Sequence, residues 1–235
     1  MFRKTTQKHM TQNYDTLFCK EIDIIKNNPK YAKAKPRLLL HACCAPCSSA
    51  VLEKLEDVFD IAIYFYNPNI HPHTEYCRRL SELDCFLKKR MNKNDISLIE
   101  SEYNQQDFFD AVQTERFPER KIEKERGERC YACYALRIEK MSRFAYENAF
   151  DYFTATLSIS PHKDAHMINE IGKRCETALK NPENPYPLYL YADFKKRNGY
   201  KRSSEISKEF GLYRQEYCGC VFSQNRETNM KTSQN

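Results

Sequence analysis

The chain has 235 residues, eleven cysteines and a formal net charge of +6, and 41% of it is hydrophobic. That length can bury a sizeable core without disulfide staples. No stretch approaches the roughly eighteen apolar residues of a membrane span, and MFRKTTQKHM lacks the apolar segment of a secretory signal, so the expected setting is cytoplasmic, where clustered cysteines more often serve as metal ligands or redox groups than as crosslinks.

In chain order, residues 1–36 carry eight Lys/Arg against three Asp/Glu and read as a poorly ordered basic arm or short helix. LLLH, from Leu38 to His41, has the apolar character of a buried parallel strand. It runs into ACCAPCSSAVLEKLEDV, where Pro46 suits the first turn of a helix and Val51, Leu52, Leu55 and Val58 form one apolar stripe. IAIYFYNPNI then reads as strand and turn, TEYCRRLSELDCFLKKRM as helix and DISLIE as strand. RCYACYALRIEKMSRFAYENAF is a long helix, DYFTATLSIS a strand, and SPHKDAHMINEIGKRC a helix starting near Pro161. YADFKKRNGY and SEISKEFG are shorter helical pieces, and the last dozen residues read as a frayed tail.

Strands alternating with helices predict an α/β domain with a mostly parallel sheet covered on both faces. Right-handed crossovers gather the strand C-termini along one edge, where such sheets bind ligands. His41–Cys47, Asn67–His73 and Ser158–His162 are expected there. The chain has only five glycines. It contains neither a dinucleotide fingerprint nor a Walker A sequence, so no nicotinamide, flavin or P-loop nucleotide is signalled.

Seven cysteines form the candidate site. Cys43, Cys44 and Cys47 lie where a strand hands over to a helix, a place whose free N–H groups favour thiolates. Cys130 and Cys133 are spaced to share a helix face. Cys218 and Cys220 flank a glycine that permits a tight turn, and they can chelate a metal or cycle between dithiol and disulfide. A structural zinc uses four ligands, and four thiolates also satisfy a [4Fe–4S] cluster. The three left over point to a second metal or redox group. Cys19, Cys77, Cys85 and Cys175 are isolated and read as core or surface residues.

Polar residues at the same edge include His41, His71, His73, Tyr64, Tyr66, Tyr76, Ser158, Ser160, His162 and Lys163. The rigid, polar N-P-N-I-H-P segment has the character of a substrate loop. Residues 195–214 carry seven Lys/Arg against two Asp/Glu, so Lys195, Lys196, Arg197, Lys201 and Arg202 are candidate phosphate contacts for a polyanion partner. Lys121, Lys124 and Arg126 are further candidates, although their alternation with glutamates also suits a solvated face.

HACCAPCSSAVLEKL, YFYNPNIHPHTEYCRR, RCYACYALRIEKM, YFTATLSISPHKD and GLYRQEYCGCVFS together resemble the epoxyqueuosine reductase family of the QueH type, from about Leu38 to Ser223. The resemblance implies a Rossmann-like parallel sheet of the adenine-nucleotide α-hydrolase type. It also implies reduction of epoxyqueuosine to queuosine at the wobble position of tRNA. It further implies a [4Fe–4S] cluster on Cys43, Cys44, Cys130 and Cys133, with a second mononuclear iron nearby. Cys218 and Cys220 correspond to a pair described as a redox-active disulfide or as ligands of that iron, and Cys47 aligns with a position that is aspartate in some members.

On this basis residues 1–36 are a basic extension, 37–223 the iron–sulfur catalytic domain and 224–235 a flexible tail. Cys47, Cys218 and Cys220 are the candidate catalytic residues and the candidate ligands of the second iron. Epoxide deoxygenation takes two electrons and two protons, so an external electron donor is expected as a partner. His41, Tyr76 and His73 are candidate proton donors. A nucleotide-activating enzyme of the same fold would need a loop such as S-G-G-x-D-S where this chain has HACCAPCS.

Overall fold

The computed structural model describes residues 12–90, 96–184 and 186–224. Most of the expected tail and the first eleven residues of the basic extension lie outside the described residues. Five parallel strands form one sheet in the order β3-β2-β1-β4-β5. They are β1 (Arg37–His41), β2 (Asp60–Phe65), β3 (Ser97–Glu100), β4 (Tyr152–Ala155) and β5 (Leu188–Tyr189). The Rossmann-like fold expected from the sequence is therefore present. Strand order reverses between β1 and β4, so their C-terminal ends open the crevice in which such sheets hold ligands.

Helices cover both faces. α2 (Ala45–Leu55), α3 (His73–Lys89) and α7 (Gly199–Glu209) lie on one side, where Leu38 and Leu40 of β1 and Ile61, Ile63 and Phe65 of β2 pack with Leu52, Leu83 and Ile206. α5 (Glu128–Glu147) and α6 (Ala165–Leu179) cover the other. There Leu39, Ala62 and Tyr64 meet Ile138, Met141, Ile168 and Ile171. The alternation of Leu38, Leu39 and Leu40 between two cores is the two-residue period of a strand buried on both faces.

α1 (Tyr14–Lys26) begins at Asn13, whose side chain accepts from the N–H groups of Asp15 and Thr16. It packs onto the domain. Ile25 joins the core, Phe18 meets Phe194 edge-on, and Tyr14 donates to Glu170 at 3.0 Å. From Tyr14 onward the basic extension is thus a docked helix rather than a loose arm.

Three local differences from the sequence reading have simple causes. β4 ends at Ala155, and residues 156–159 form a 3-10 turn. α6 starts at Ala165, not near Pro161, because Asp164 caps it by accepting from the N–H groups of His166 and Met167. α4 (Gln105–Val112) has a polar first turn that hid it, but Phe108 and Val112 are buried. Among the described residues no helix is long and apolar enough to cross a membrane.

Candidate active site

β1 ends at His41, and the chain turns through Cys43 and Cys44 into α2. Cys44 is the N-cap of α2 and its Sγ accepts from the Cys47 N–H at 3.3 Å. Pro46 occupies the first turn, where no N–H is required. This turn brings the sulfurs of Cys43, Cys44 and Cys47 within 4.8 Å of one another. Hydrogen bonds from Cys44 and Cys47 hold the Cys43 thiol well below its usual range. Burial pushes Cys44 up to about 12.

Cys130 and Cys133 stand on the first turn of α5. With Cys218, Cys220, Asn69, Arg137 and Lys163 they line a cavity of about 30 Å³. Burial raises the thiols of Cys130 and Cys133, the latter to about 11. Cys218 is held well below its usual range by a hydrogen bond from Cys220. All eleven cysteines are free thiols. The structure thus gathers the seven candidate cysteines in two neighbouring sets, Cys43/Cys44/Cys47 and Cys130/Cys133/Cys218/Cys220. Cys175 is buried in the α5–α6 core, while Cys77 and Cys85 are exposed.

Two cations adjoin the sulfurs, Arg137, which is buried, and Lys163, which is half-buried. Burial disfavours the charge on Lys163, but the Cys43, Cys218 and Cys47 sulfurs raise its pKa on balance. Arg137 is treated the same way by Cys133 and Cys43, and its Nε donates to the Cys133 carbonyl at 3.1 Å. Neither has a carboxylate partner among the described residues. A buried cation is costly unless an anion compensates it, so the site is built for thiolates. Arg137 was not recognised in the sequence, although it lies four and seven residues after Cys133 and Cys130, on the same helical face.

The Cys218–Cys220 segment is fixed by α3 and the loop before it. Arg79 is 1% exposed and pairs with Glu75 at 2.6 Å. It donates to the carbonyls of Tyr217 and Cys218 at 3.2 and 3.3 Å. The His71 N–H donates to the Gly219 carbonyl at 2.8 Å, and Tyr217 Oη donates to the His71 carbonyl. Gly219 has φ +103°, and a Cβ there would lie 2.9 Å from Ile70. Gln215 Nε2 reaches Cys44 Sγ at 3.0 Å, tying this segment to the triad.

The loop 67–71 is therefore a buried buttress rather than an open substrate loop: Asn67, Asn69 and Ile70 are all at most 2% exposed. His41 is buried too. Its Nε2 donates to the Tyr66 carbonyl at 2.9 Å, and burial lowers its pKa to about 4. His73 stacks on Tyr103, and Tyr76 Oη bonds Glu100 at 3.2 Å. These candidate proton donors line neither cavity, and Tyr64, Tyr66 and Tyr76 are too buried to stack on a base.

A larger cavity of about 320 Å³ opens beside Cys47 and Cys218. Ser160, His162, Lys163, Tyr200, Arg214 and Tyr217 are among its walls. Its volume lies at the lower end for small-molecule sites, whereas the smaller cavity excludes a nucleoside. Most of the 195–202 cations are spent within the fold. Arg197 pairs with Asp15, Lys195 with Asp193, and Arg202 with Glu53 and Glu209. Arg126 donates to the Pro161 and His162 carbonyls.

A parallel sheet with thiols gathered from three distant segments makes this an α/β protein with a cysteine-rich centre. The particular family follows from comparison. Residues 38–226 match the family described as Epoxyqueuosine reductase QueH. The chain is 40% identical over 218 residues to a protein of that name from Staphylococcus epidermidis, covering 92% of this chain and 86% of the relative. It is 42% identical to one from Histophilus somni, covering 82% and 74%, and 34% identical to one from Thermotoga maritima, covering 79% and 89%. The chain belongs to the epoxyqueuosine reductase QueH family.

Proposed function

We propose that this chain reduces the epoxide of epoxyqueuosine at the wobble position of tRNA to the alkene of queuosine. The observation that carries the reading is the nucleoside-sized cavity whose walls include Cys47 and Cys218. The reaction consumes two electrons and two protons and releases the epoxide oxygen as water.

The donor set fits an iron–sulfur group. It has seven thiols, three of them within 4.8 Å of one another, accompanied by buried Arg137 and half-buried Lys163 on the cavity wall. Cys43, Cys44, Cys130 and Cys133 would hold a [4Fe–4S] cluster, and Cys47, Cys218 and Cys220 a second iron. When bound, such a cluster supplies electrons one at a time.

The chain's own residues do the rest. As the alternative to ligating that iron, Cys218 and Cys220 as a dithiol carry two electrons and two protons, the same count as the reaction needs. Lys163 and Arg137 hold positive charge against the sulfurs. His162, Lys163 and Tyr217 are the proton-bearing groups on the cavity wall, and one of them protonates the departing oxygen. Tyr200 is 41% exposed at the rim, where it can stack on a base splayed out of the anticodon loop.

The test is anaerobic incubation of iron-loaded protein with epoxyqueuosine-containing tRNA and a chemical reductant, followed by mass spectrometry of released nucleosides. Loss of one oxygen is expected. An unchanged nucleoside in the presence of an intact visible chromophore would refute the assignment.

A further inference from the structure

The larger cavity has a charge pattern that the reduction itself does not require. Lys163 lines it together with Cys47 and Cys218, whose negative charge favours its protonated form. Arg214 sits on the rim, with Nη1 on Ser207 Oγ at 3.2 Å and Nη2 on Tyr200 Oη at 3.5 Å. Two carboxylates line the same cavity, Glu125 and Glu216. Glu216 is exposed and lines only the larger cavity, whereas Glu125 is half-buried and belongs to the wall shared by both cavities, beside Cys218.

Glu125 is held there by design of its loop. The carboxylate of Glu123 accepts from the N–H groups of Glu128 and Arg129 at 2.8 Å each, capping α5. The buried Arg129 guanidinium donates to the carbonyls of Arg120 and Glu123 and lies over Phe222. Arg126 clips the loop to Pro161 and His162. These arginines donate to carbonyls, and Lys163 forms no ion pair with a carboxylate among the described residues. Glu125 itself has no hydrogen bond or ion pair among the described residues. A carboxylate stripped of part of its water and given no partner is set for a cation from outside the chain.

We infer that Glu125 is a specificity-determining residue that binds the protonated secondary amine of the substrate. This rests on the epoxyqueuosine reading above. In epoxyqueuosine that amine joins the 7-deazaguanine base to the epoxy-cyclopentane diol, and its nitrogen sits on the ring carbon next to the epoxide. A group that grips the ammonium must therefore share a cavity with the reacting sulfurs, as Glu125 does with Cys47 and Cys218. The contact persists from epoxide to alkene, because the amine is untouched by the reaction. It therefore contributes to binding in ground and transition states alike, and its loss falls on KM rather than on kcat.

The test compares wild type, E125Q and E125D, each iron-loaded and matched for visible absorbance. Two readouts are taken: steady-state reduction of epoxyqueuosine-tRNA, and binding of queuosine-bearing against unmodified tRNA of the same sequence. E125Q is expected to raise KM by about 10- to 100-fold, the size of one charge-assisted hydrogen bond, with kcat within about threefold. It should also lose the preference for the modified tRNA, which E125D should keep in part. Unchanged KM with the preference intact overturns the inference, and so does a fall in kcat at unchanged KM. Wild type that neither reduces the substrate nor prefers the modified tRNA overturns the functional reading itself, a distinct result.

Discussion

Cys43, Cys44 and Cys47 are positioned by their own neighbours in sequence, whereas Cys218 and Cys220 are positioned by side chains far upstream. The triad needs only the end of β1, a proline in the first turn of α2 and a cap on that helix. The C-terminal pair depends on Arg79, 139 residues earlier, and on the loop through His71. A strand–turn–helix corner is set by backbone geometry and survives most surface change. A segment docked by buried polar contacts fails when one contact is removed. Metal binding and turnover should therefore be separable by mutation.

The largest expected effect is at the locally built side. Cys43→Ala should lose the iron chromophore and turnover together, read by visible absorbance and product mass. Cys220→Ala should keep the chromophore and abolish turnover; loss of both would erase the distinction between the two regions. Arg79→Met comes next. It leaves Glu75 buried without its partner, at a cost of about 3–5 kcal/mol in unfolding free energy, measurable by denaturant titration, and it should speed alkylation of Cys218 while leaving Cys47 unchanged. Gly219→Ala forces a side chain into a left-handed backbone and against Ile70, a cost of about 1–3 kcal/mol, with the same alkylation readout. Tyr217→Phe removes one hydrogen bond to His71 and should cost about 1 kcal/mol. Equal sensitivity of both cysteine sets to these last three changes would show that the regions are not independently held.

The same contrast explains what the sequence disclosed. β1, the cysteine turn and α2 were legible because apolar run, proline and stripe lie within one short stretch, and the helical spacing of Cys130 and Cys133 was legible for the same reason. Glu75 and Arg79 have the spacing of an ordinary surface pair on a helix, and nothing nearby signals that Tyr217 and Cys218 cover them. The Asn67–His71 loop looked like surface because it is polar. It is buried because Ala42 and Gly219, remote in sequence, meet its polar groups. Arg197 and Arg202 looked free because Asp15 and Glu53, with which they pair, lie more than a hundred residues away. Glu125 gave no signal apart from its charge, since its value lies in the cavity that folding creates around it.

The order of the chain adds a consequence for assembly. The groups of α3 and its preceding loop that grip the Cys218–Cys220 segment, His71 and Arg79 with its partner Glu75, precede it in synthesis, and so do Cys43, Cys44, Cys47, Cys130 and Cys133. The residues of the receiving surface are therefore synthesised before their occupant. The final segment then behaves as a tethered ligand, closing by an intramolecular encounter whose high effective concentration favours the docked state. Before it docks, five of the seven candidate thiols, Cys43, Cys44, Cys47, Cys130 and Cys133, lack the segment that closes over them.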